Sequence, residues 1–308
     1  LKSAVRAFRD VYREEVEVYN DPADLREVEV LKDLALINVA RIYYGIERYD
    51  EAAKYYALVS RTSEYWAESL FEASWSNFMQ NDLNSSLGQI LTVDSPFFSE
   101  DQFIPEATIL KSLTFFNLCE YSEVESMLLN FEDEYRPMQE EMRSFVQDYS
   151  SPEGRELADQ AWRRYFGTEQ RTDSLLPKSL FNRILRNQDL SGIVRHMQMM
   201  DEELDLIDQQ KSRWQESVGV YLKRIIEADR ERYERRAGKL FLSEMARNAN
   251  YISDLLTQSE IIRFEVVDAQ RVDYSYRAQN AELLDSSQNV DIDFATAVDF
   301  IYWPFNGE

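Results

Sequence analysis

Histidine and cysteine, the side chains that most often act in catalysis or bind metal ions, are rare in this sequence, which contains one of each. Any Ser-His-Asp arrangement would have to use His196, and no Gly-x-Ser-x-Gly turn is present to carry a nucleophilic serine. His196 lies among methionines on a predicted helix, so we interpret it as a packing residue. Cys119 excludes an internal disulfide and a multi-thiolate metal site. The aromatic residues before it, Phe115 and Phe116, predict a packed thiol rather than a nucleophile.

Acidic side chains form two clusters that could bind cations or basic partners. The first cluster comprises Glu132, Asp133, Glu134, Glu140 and Glu141. We interpret it as the water-exposed face of a helix; the alternative is a surface that contacts a basic partner. The cluster from 201 to 208 lacks the glycine turn and alternating oxygen ligands of a calcium loop. Eight scattered glycines cannot form a phosphate-binding loop. Composition leaves a two-carboxylate hydrolase open, but no pattern places two acids in one cleft. We therefore predict a protein that is not an enzyme, without metal or cofactor.

The overall composition predicts a helical protein with an acidic surface. Hydrophobic residues make up 44% and aromatic residues 13% of the 308 residues, which excludes global disorder. Only eight Gly and seven Pro interrupt the chain. The formal net charge of -23 argues against binding to nucleic acid or to anionic membranes, and it favours solubility or a basic protein partner. No apolar run approaches the roughly eighteen residues of a membrane-spanning helix.

Residues 33–137 contain a pattern that repeats at a spacing of about thirty-four residues. Each copy has small residues within one helix, an aromatic residue before a turn, and a second helix after the turn. The first copy has Leu36, Val39, Ala40, Tyr43, Tyr44, Tyr49, Ala52 and Tyr56 in these positions. The second has Leu70, Ala73, Ser74, Asn77, Phe78, Leu83, Ser86 and Ile90, and the third has Thr108, Phe115, Phe116, Tyr121, Val124 and Leu128. Two such helices cross closely, and each pair must stack on a neighbour to bury its apolar faces.

The pattern resembles the tetratricopeptide repeat (TPR) family, and residues 49–56 are the closest match. The resemblance implies an all-α fold that begins with a TPR-like α-solenoid and acts as a scaffold for protein partners. It also implies that the first helix of each pair lines a concave groove. The lining positions are Arg41, Tyr44, Phe71, Trp75, Phe78, Met79, Ile109, Leu113 and Phe116. Aromatic anchors in a groove are typical of peptide or helix binding.

The chain divides into four predicted regions. Residues 1–150 form the solenoid of three to four helix pairs; the first pair is truncated because the chain starts inside a repeat, and Phe131–Tyr149 opens a fourth unit. Residues 151–177 are a helical connector. Residues 178–275 carry a narrow apolar seam that predicts a long, coiled-coil-like helical hairpin. Residues 276–308 are a polar linker followed by an apolar segment that we expect to dock back on the protein.

Two functions follow from this layout. The preferred one is a non-catalytic adaptor that binds a partner peptide or helix through the aromatic groove or the exposed hairpin, and the acidic surface favours a basic partner. The alternative is a structural assembly component of a bacterial cell-envelope machine, with the groove closed by the chain's own C-terminal region. It follows from a similarity in layout to large TPR proteins of bacterial envelopes, including those of outer-membrane assembly or surface motility. The alternative implies the periplasm or cell envelope, whereas the adaptor is also compatible with the cytoplasm. Neither function includes nucleic-acid binding or membrane insertion.

Overall fold

The computed structural model of the chain describes residues 2–13, 22–95, 102–149, 151, 157–166 and 174–279. These residues form helices and connecting turns without a β-strand, so the predicted all-α class is confirmed. The helices are α1 (Lys2–Tyr12), α2 (Pro22–Tyr44), α3 (Tyr49–Tyr56), α4 (Trp66–Met79), α5 (Leu83–Val93), α6 (Glu106–Asn117), α7 (Tyr121–Asp148), α8 (Ala158–Phe166), α9 (Lys178–Leu185), α10 (Gln188–Asp208), α11 (Ser212–Trp214) and α12 (Val220–Gln279), with a π-helical turn at Gln215–Gly219 between the last two.

The described residues group into two compact units. The first holds those within Leu1–Ser99, Ile104–Phe131 and Thr257–Glu308, and the second holds those within Glu100–Phe103 and Glu132–Leu256. The first unit therefore contains α1 to α6 with the start of α7 and the end of α12. The second contains α8 to α11 with the remaining parts of α7 and α12.

Three consecutive helix pairs, α2–α3, α4–α5 and α6–α7, are joined by the same turn. Each turn has one residue with a positive φ: Glu47 at 63°, Asn81 at 59° and Cys119 at 61°. The next N–H donates to the carbonyl five residues earlier, which satisfies an oxygen at the end of the first helix. These bonds are Arg48 to Tyr43 at 2.9 Å, Asp82 to Asn77 at 2.9 Å and Glu120 to Phe115 at 3.0 Å. The positive-φ residues are 34 and 38 positions apart, close to the spacing in the sequence pattern.

Cys119 corrects one sequence-based expectation. Its side chain is exposed, so the prediction of a packed thiol is wrong. The physical reason is the position of the helix end. Because α6 stops at Asn117, Cys119 falls at the left-handed position of the turn and not on the apolar face that Phe116 occupies.

Small residues allow the helices of the first pair to cross closely. Ala40 on α2 and Ala52 on α3 are both fully buried, and Tyr56 packs in the same cluster. The other members of this core are Leu36, Ile37, Val59 and Ala73. Ala73 lies on α4, so this core joins the first pair to the second pair. The alanines of the sequence pattern thus have a packing role.

Helix α7 is longer than the sequence pattern predicts. It runs without interruption through Pro137 to Asp148, so all but the last residue of Phe131–Tyr149, which was expected to open a fourth unit, belongs to the second helix of the third pair. Proline removes one helical hydrogen bond and costs about 3 kcal/mol inside a helix. The buried apolar side chains continue in one helical register across it, and their burial offsets this cost. They are Val124, Leu128, Phe131, Met142 and Phe145.

The core of the second unit is a cluster of aromatic rings around Phe241 of α12, which is fully buried. Five other rings have centroids 5.3–6.4 Å from that of Phe241. They are Phe145, Trp162, Tyr165, Phe166 and Phe181, contributed by α7, α8 and α9. One turn earlier on α12, a Cβ placed on Gly238 would lie 1.6 Å from the carbonyl oxygen of Ala158. Glycine at this position therefore allows α8 and α12 to come into backbone contact.

An antiparallel hairpin forms within the region where the sequence predicts one. Helix α10 pairs with the first half of α12, and polar contacts mark the register at three levels. They are the ion pair Asp208–Lys223, the Asp201–Arg230 pair at 2.6 Å and the Asn187–Glu244 hydrogen bond at 2.8 Å. The apolar seam of α10 consists of Leu190, Ile193, Met197, Met200 and Ile207. The predicted docking of the apolar C-terminal segment concerns residues 280–308, which lie outside the described residues.

The turn geometry predicts that Glu47→Gly stabilises the protein. A side chain in the left-handed region costs about 1–2 kcal/mol, and glycine avoids this cost at some expense in backbone entropy. We expect a net gain of about 0.5–1 kcal/mol in the free energy of unfolding, measured by urea denaturation. Asn81→Gly is the matched control, and it should gain less because asparagine tolerates this conformation. A loss of stability in Glu47→Gly would contradict the common turn.

The contact at Gly238 predicts that Gly238→Ala is destabilising. The methyl group would overlap backbone atoms of Ala158, which cannot rotate away, so α8 must move from α12 at a cost of about 1–3 kcal/mol. The control is Gly192→Ala in α10, where nothing lies within 4 Å of the added Cβ. The control should be stabilised by up to about 1 kcal/mol, since alanine favours helix. Equal urea midpoints for the two variants would contradict this packing.

Candidate functional site

The nine predicted groove residues fall into three groups by exposure. Five of them are buried at 8% or less: Phe71, Phe78, Ile109, Leu113 and Phe116. Tyr44, Trp75 and Met79 are partly buried, and Arg41 is exposed. The five buried side chains pack between helices in the described structure. The accessible part of the predicted surface is therefore Arg41 with Tyr44, Trp75 and Met79.

Trp75 is the largest partly exposed member of this set. Its ring packs edge-to-face with that of the buried Phe78 at a centroid distance of 5.9 Å. The indole Nε1 is buried, and it has no hydrogen-bond acceptor in the described part of the chain. A buried donor without an acceptor costs about 1–3 kcal/mol. Trp75 is thus held by ring packing and not by a hydrogen bond.

Arg41 connects the first helix pair to the second. Its Nε donates to a carboxylate oxygen of Glu72 at 2.9 Å, and its Nη2 donates to Glu68 at 2.7 Å. The hydroxyl of Tyr56 donates to the same Glu72 carboxylate at 2.7 Å. Since Arg41, Tyr56 and Glu72 lie on α2, α3 and α4, one carboxylate ties three consecutive helices together. The carboxylates of Glu72 and Glu68 therefore balance the charge of Arg41 and fix the orientation of its guanidinium group.

The pKa values in this network shift in directions that its geometry explains. Burial raises the pKa of Tyr56, and the negative charge of Glu72 together with their hydrogen bond raises it further. For Arg41, the partial loss of water around the guanidinium lowers the pKa, but the hydrogen bond and charge of Glu72 and the charge of Glu68 outweigh this loss, so the pKa is raised. Tyr56 thus stays neutral and Arg41 stays charged throughout the physiological range.

A second polar cluster, which the repeat pattern does not reveal, joins α1 to the first pair. The rings of Tyr43 and Tyr55 stack with centroids 5.4 Å apart and planes at 12°. Arg9 of α1 donates from Nε to the Tyr55 hydroxyl at 2.9 Å and from Nη2 to the Tyr43 hydroxyl at 3.1 Å. Tyr43 belongs to the repeat pattern, but nothing in the spacing of the sequence identifies Arg9 as its partner.

The single histidine and the acidic cluster from 201 to 208 make packing and ion-pair contacts within the second unit. The ring of His196 packs against Tyr233 at a centroid distance of 4.5 Å, which agrees with its interpretation as a packing residue. Asp201 and Asp208 pair with Arg230 and Lys223. The described residues include no group of three or more His, Cys, Asp or Glu side chains that could hold a metal ion. The described helices also include none that is both long and apolar enough to cross a membrane.

Comparisons of the chain with protein-family models, with curated proteins and with solved structures find no match.

The network around Glu72 predicts a pH-dependent effect of Tyr56→Phe. At pH 7 the variant loses a hydrogen bond to a carboxylate, so its free energy of unfolding should be about 1.5–3 kcal/mol lower than that of wild type. Because the folded state raises the Tyr56 pKa, the contribution of this tyrosine is complete below the ordinary value of 10.0 and is lost as pH rises above it. The stability difference should therefore shrink between pH 7 and pH values above 10.0 in urea denaturation.

Tyr221→Phe is the control for this series, because Tyr221 is a 65% exposed tyrosine and its substitution should change the free energy of unfolding little. A difference between wild type and Tyr56→Phe that stays constant with pH would contradict the role of burial and of Glu72.

Proposed function

We propose that the chain is a non-catalytic scaffold of the TPR type, which holds a partner peptide or helix against the first helices of its stacked pairs. The observation that carries this proposal is the recurrence of one turn geometry in three consecutive pairs. Such pairs lean on their neighbours and present a preformed surface. A preformed surface binds without the cost of ordering its own side chains.

The proposed contact surface is Arg41, Tyr44, Trp75 and Met79. Trp75 would be its main anchor, because a large ring loses little conformational entropy on binding and buries much apolar area. The buried residues Phe71 and Phe78 would act indirectly by holding the surface in shape. The chemistry of the site supports binding and not catalysis, since its charged groups already form an ion-paired network.

The net charge supports a basic partner. A charge of -23 on 308 residues attracts cationic surfaces over about 8–10 Å at physiological ionic strength. Binding to a basic peptide or helix should then weaken as salt increases, mainly through slower association.

The test is proximity crosslinking of the full chain in its native cells, comparing wild type with a Trp75→Ala, Met79→Ala double variant. Loss of an anchor typically costs at least about 2 kcal/mol, so capture of the specific partner should fall by about thirtyfold. Circular dichroism and thermal melting check that the variant remains folded.

The matched control is Leu58→Ala with Leu91→Ala, which removes two exposed apolar side chains outside the proposed surface. The control should capture the same partner as wild type. Undiminished capture by the folded Trp75→Ala, Met79→Ala variant would reject the surface.

A further inference from the structure

The end of α12 has an exposed apolar face that the helix pairs do not use. Phe264, Val267 and Tyr274 are 71%, 61% and 68% exposed. Residues three, seven and ten apart lie on one side of an α-helix, so these three form a continuous stripe. Large apolar side chains with this exposure, grouped on one face, mark a surface that binds something.

Beside this stripe lies a shallow pocket within the first unit. It is lined by Arg263, Phe264, Val266 and Val267 of α12 and by Glu125 of α7, and it has a volume of about 230 Å³. Small-molecule sites usually measure about 300–1,000 Å³ and enclose most of their ligand. The size and openness of this pocket suit one or two apolar side chains better than a cofactor.

We propose that the pocket and the stripe are the docking site for the chain's own apolar segment, Phe294–Phe305. This segment contains four aromatic side chains in addition to Phe294: Phe300, Tyr302, Trp303 and Phe305. It belongs to residues 280–308, which lie outside the described residues. The proposal commits to this occupant because of reach, composition and charge.

Reach favours docking within the same chain. Val267 lies twelve residues before the end of α12 at Gln279, or about 18 Å along the helix axis. Fourteen residues, 280–293, separate the helix end from the segment, and a flexible connector of that length spans about 20 Å on average. Effective concentration is highest when the average length of a connector matches the distance that it must bridge. The segment can therefore turn back onto the stripe at high local concentration.

Charge agrees with the same occupant. Residues 280–308 contain six acidic residues and neither Lys nor Arg. Arg263 lines the pocket together with Glu125, and Arg271, which pairs with Asp268 at 2.8 Å, lies on the same side of α12 as the stripe. An acidic, aromatic segment therefore meets an apolar surface flanked by arginines. This docking site differs from the predicted groove, so the groove stays available for a partner.

The test is disulfide crosslinking in the full chain with Cys119→Ser, so that only introduced thiols can react. The working pair is Val267→Cys with Ile301→Cys, and the matched control is Val272→Cys with Ile301→Cys. Val272 is also exposed, but five residues place it about 140° around the helix from Val267. Each protein is oxidised at low concentration, and products are resolved by non-reducing electrophoresis and peptide mass spectrometry.

We expect the Val267→Cys pair to form an intramolecular disulfide about tenfold faster than the control pair, at a rate independent of protein concentration. Equal rates for the two pairs would overturn the proposal, because random collisions would explain them. Crosslinked dimers that increase with concentration would also overturn it and assign the face to a second copy of the chain. Failure of both pairs to crosslink would show that another molecule, or no molecule, covers the face.

A second measurement does not depend on disulfide geometry. In the Cys119→Ser, Val267→Cys protein, a maleimide should label the introduced thiol several-fold more slowly than in the same protein with Phe300→Ser and Trp303→Ser added. In the Val272→Cys background, the two serine substitutions should leave the labelling rate unchanged. An unchanged rate in the Val267→Cys background would reject the docked segment.

Discussion

The helix pairs depend on a backbone constraint: the chain must enter the left-handed region once between the two helices of each pair. At Glu47, Asn81 and Cys119 this single residue ends one helix, and its successor returns a hydrogen bond to the carbonyl five positions back. The second helix can then start only in one direction. The small buried residues Ala40 and Ala52 match that direction, because helices that cross at a fixed close distance have no space for larger side chains. Turn geometry and core composition are thus two consequences of one constraint.

Polar contacts set how one pair meets the next. A single carboxylate, Glu72, accepts hydrogen bonds from Arg41 and Tyr56, so three helices share one acceptor. Bonds to a shared charged group specify geometry more strictly than apolar contacts do, because both distance and direction must be satisfied. In the second unit, the ring cluster around Phe241 sets how α7, α8 and α9 pack against α12. Edge-on ring contacts are directional, and the backbone contact at Gly238 fixes the separation of α8 and α12.

The sequence predicted the parts of the fold that local pattern controls. The all-α class, the helix pairs and the antiparallel hairpin follow from apolar spacing and from the scarcity of Gly and Pro. The exposure of Cys119 did not follow, because a shift of two residues at a helix end moves a side chain from core to solvent. The continuity of α7 through Pro137 also did not follow, since local propensity argues for a break and only tertiary burial outweighs it.

Tertiary contact likewise decides the burial of Phe71 and Ile109, which sit where the TPR resemblance implies a groove. The hydrogen bonds from Arg9 to the hydroxyls of Tyr43 and Tyr55 join positions far apart in the sequence, and residue spacing does not predict them.

The exposed thiol at the corner between α6 and α7 has a practical consequence. Since Cys119 is the one cysteine in the chain, a thiol-reactive fluorophore or spin label would attach at a single, structurally defined place without any substitution. The corner belongs to the third helix pair, at the point where the two helices diverge. A label there would report the local tumbling of that corner, and its spectrum would register rearrangement of the pair when another molecule binds. The residue that breaks the sequence-based expectation is thus the natural position for a spectroscopic probe of this protein.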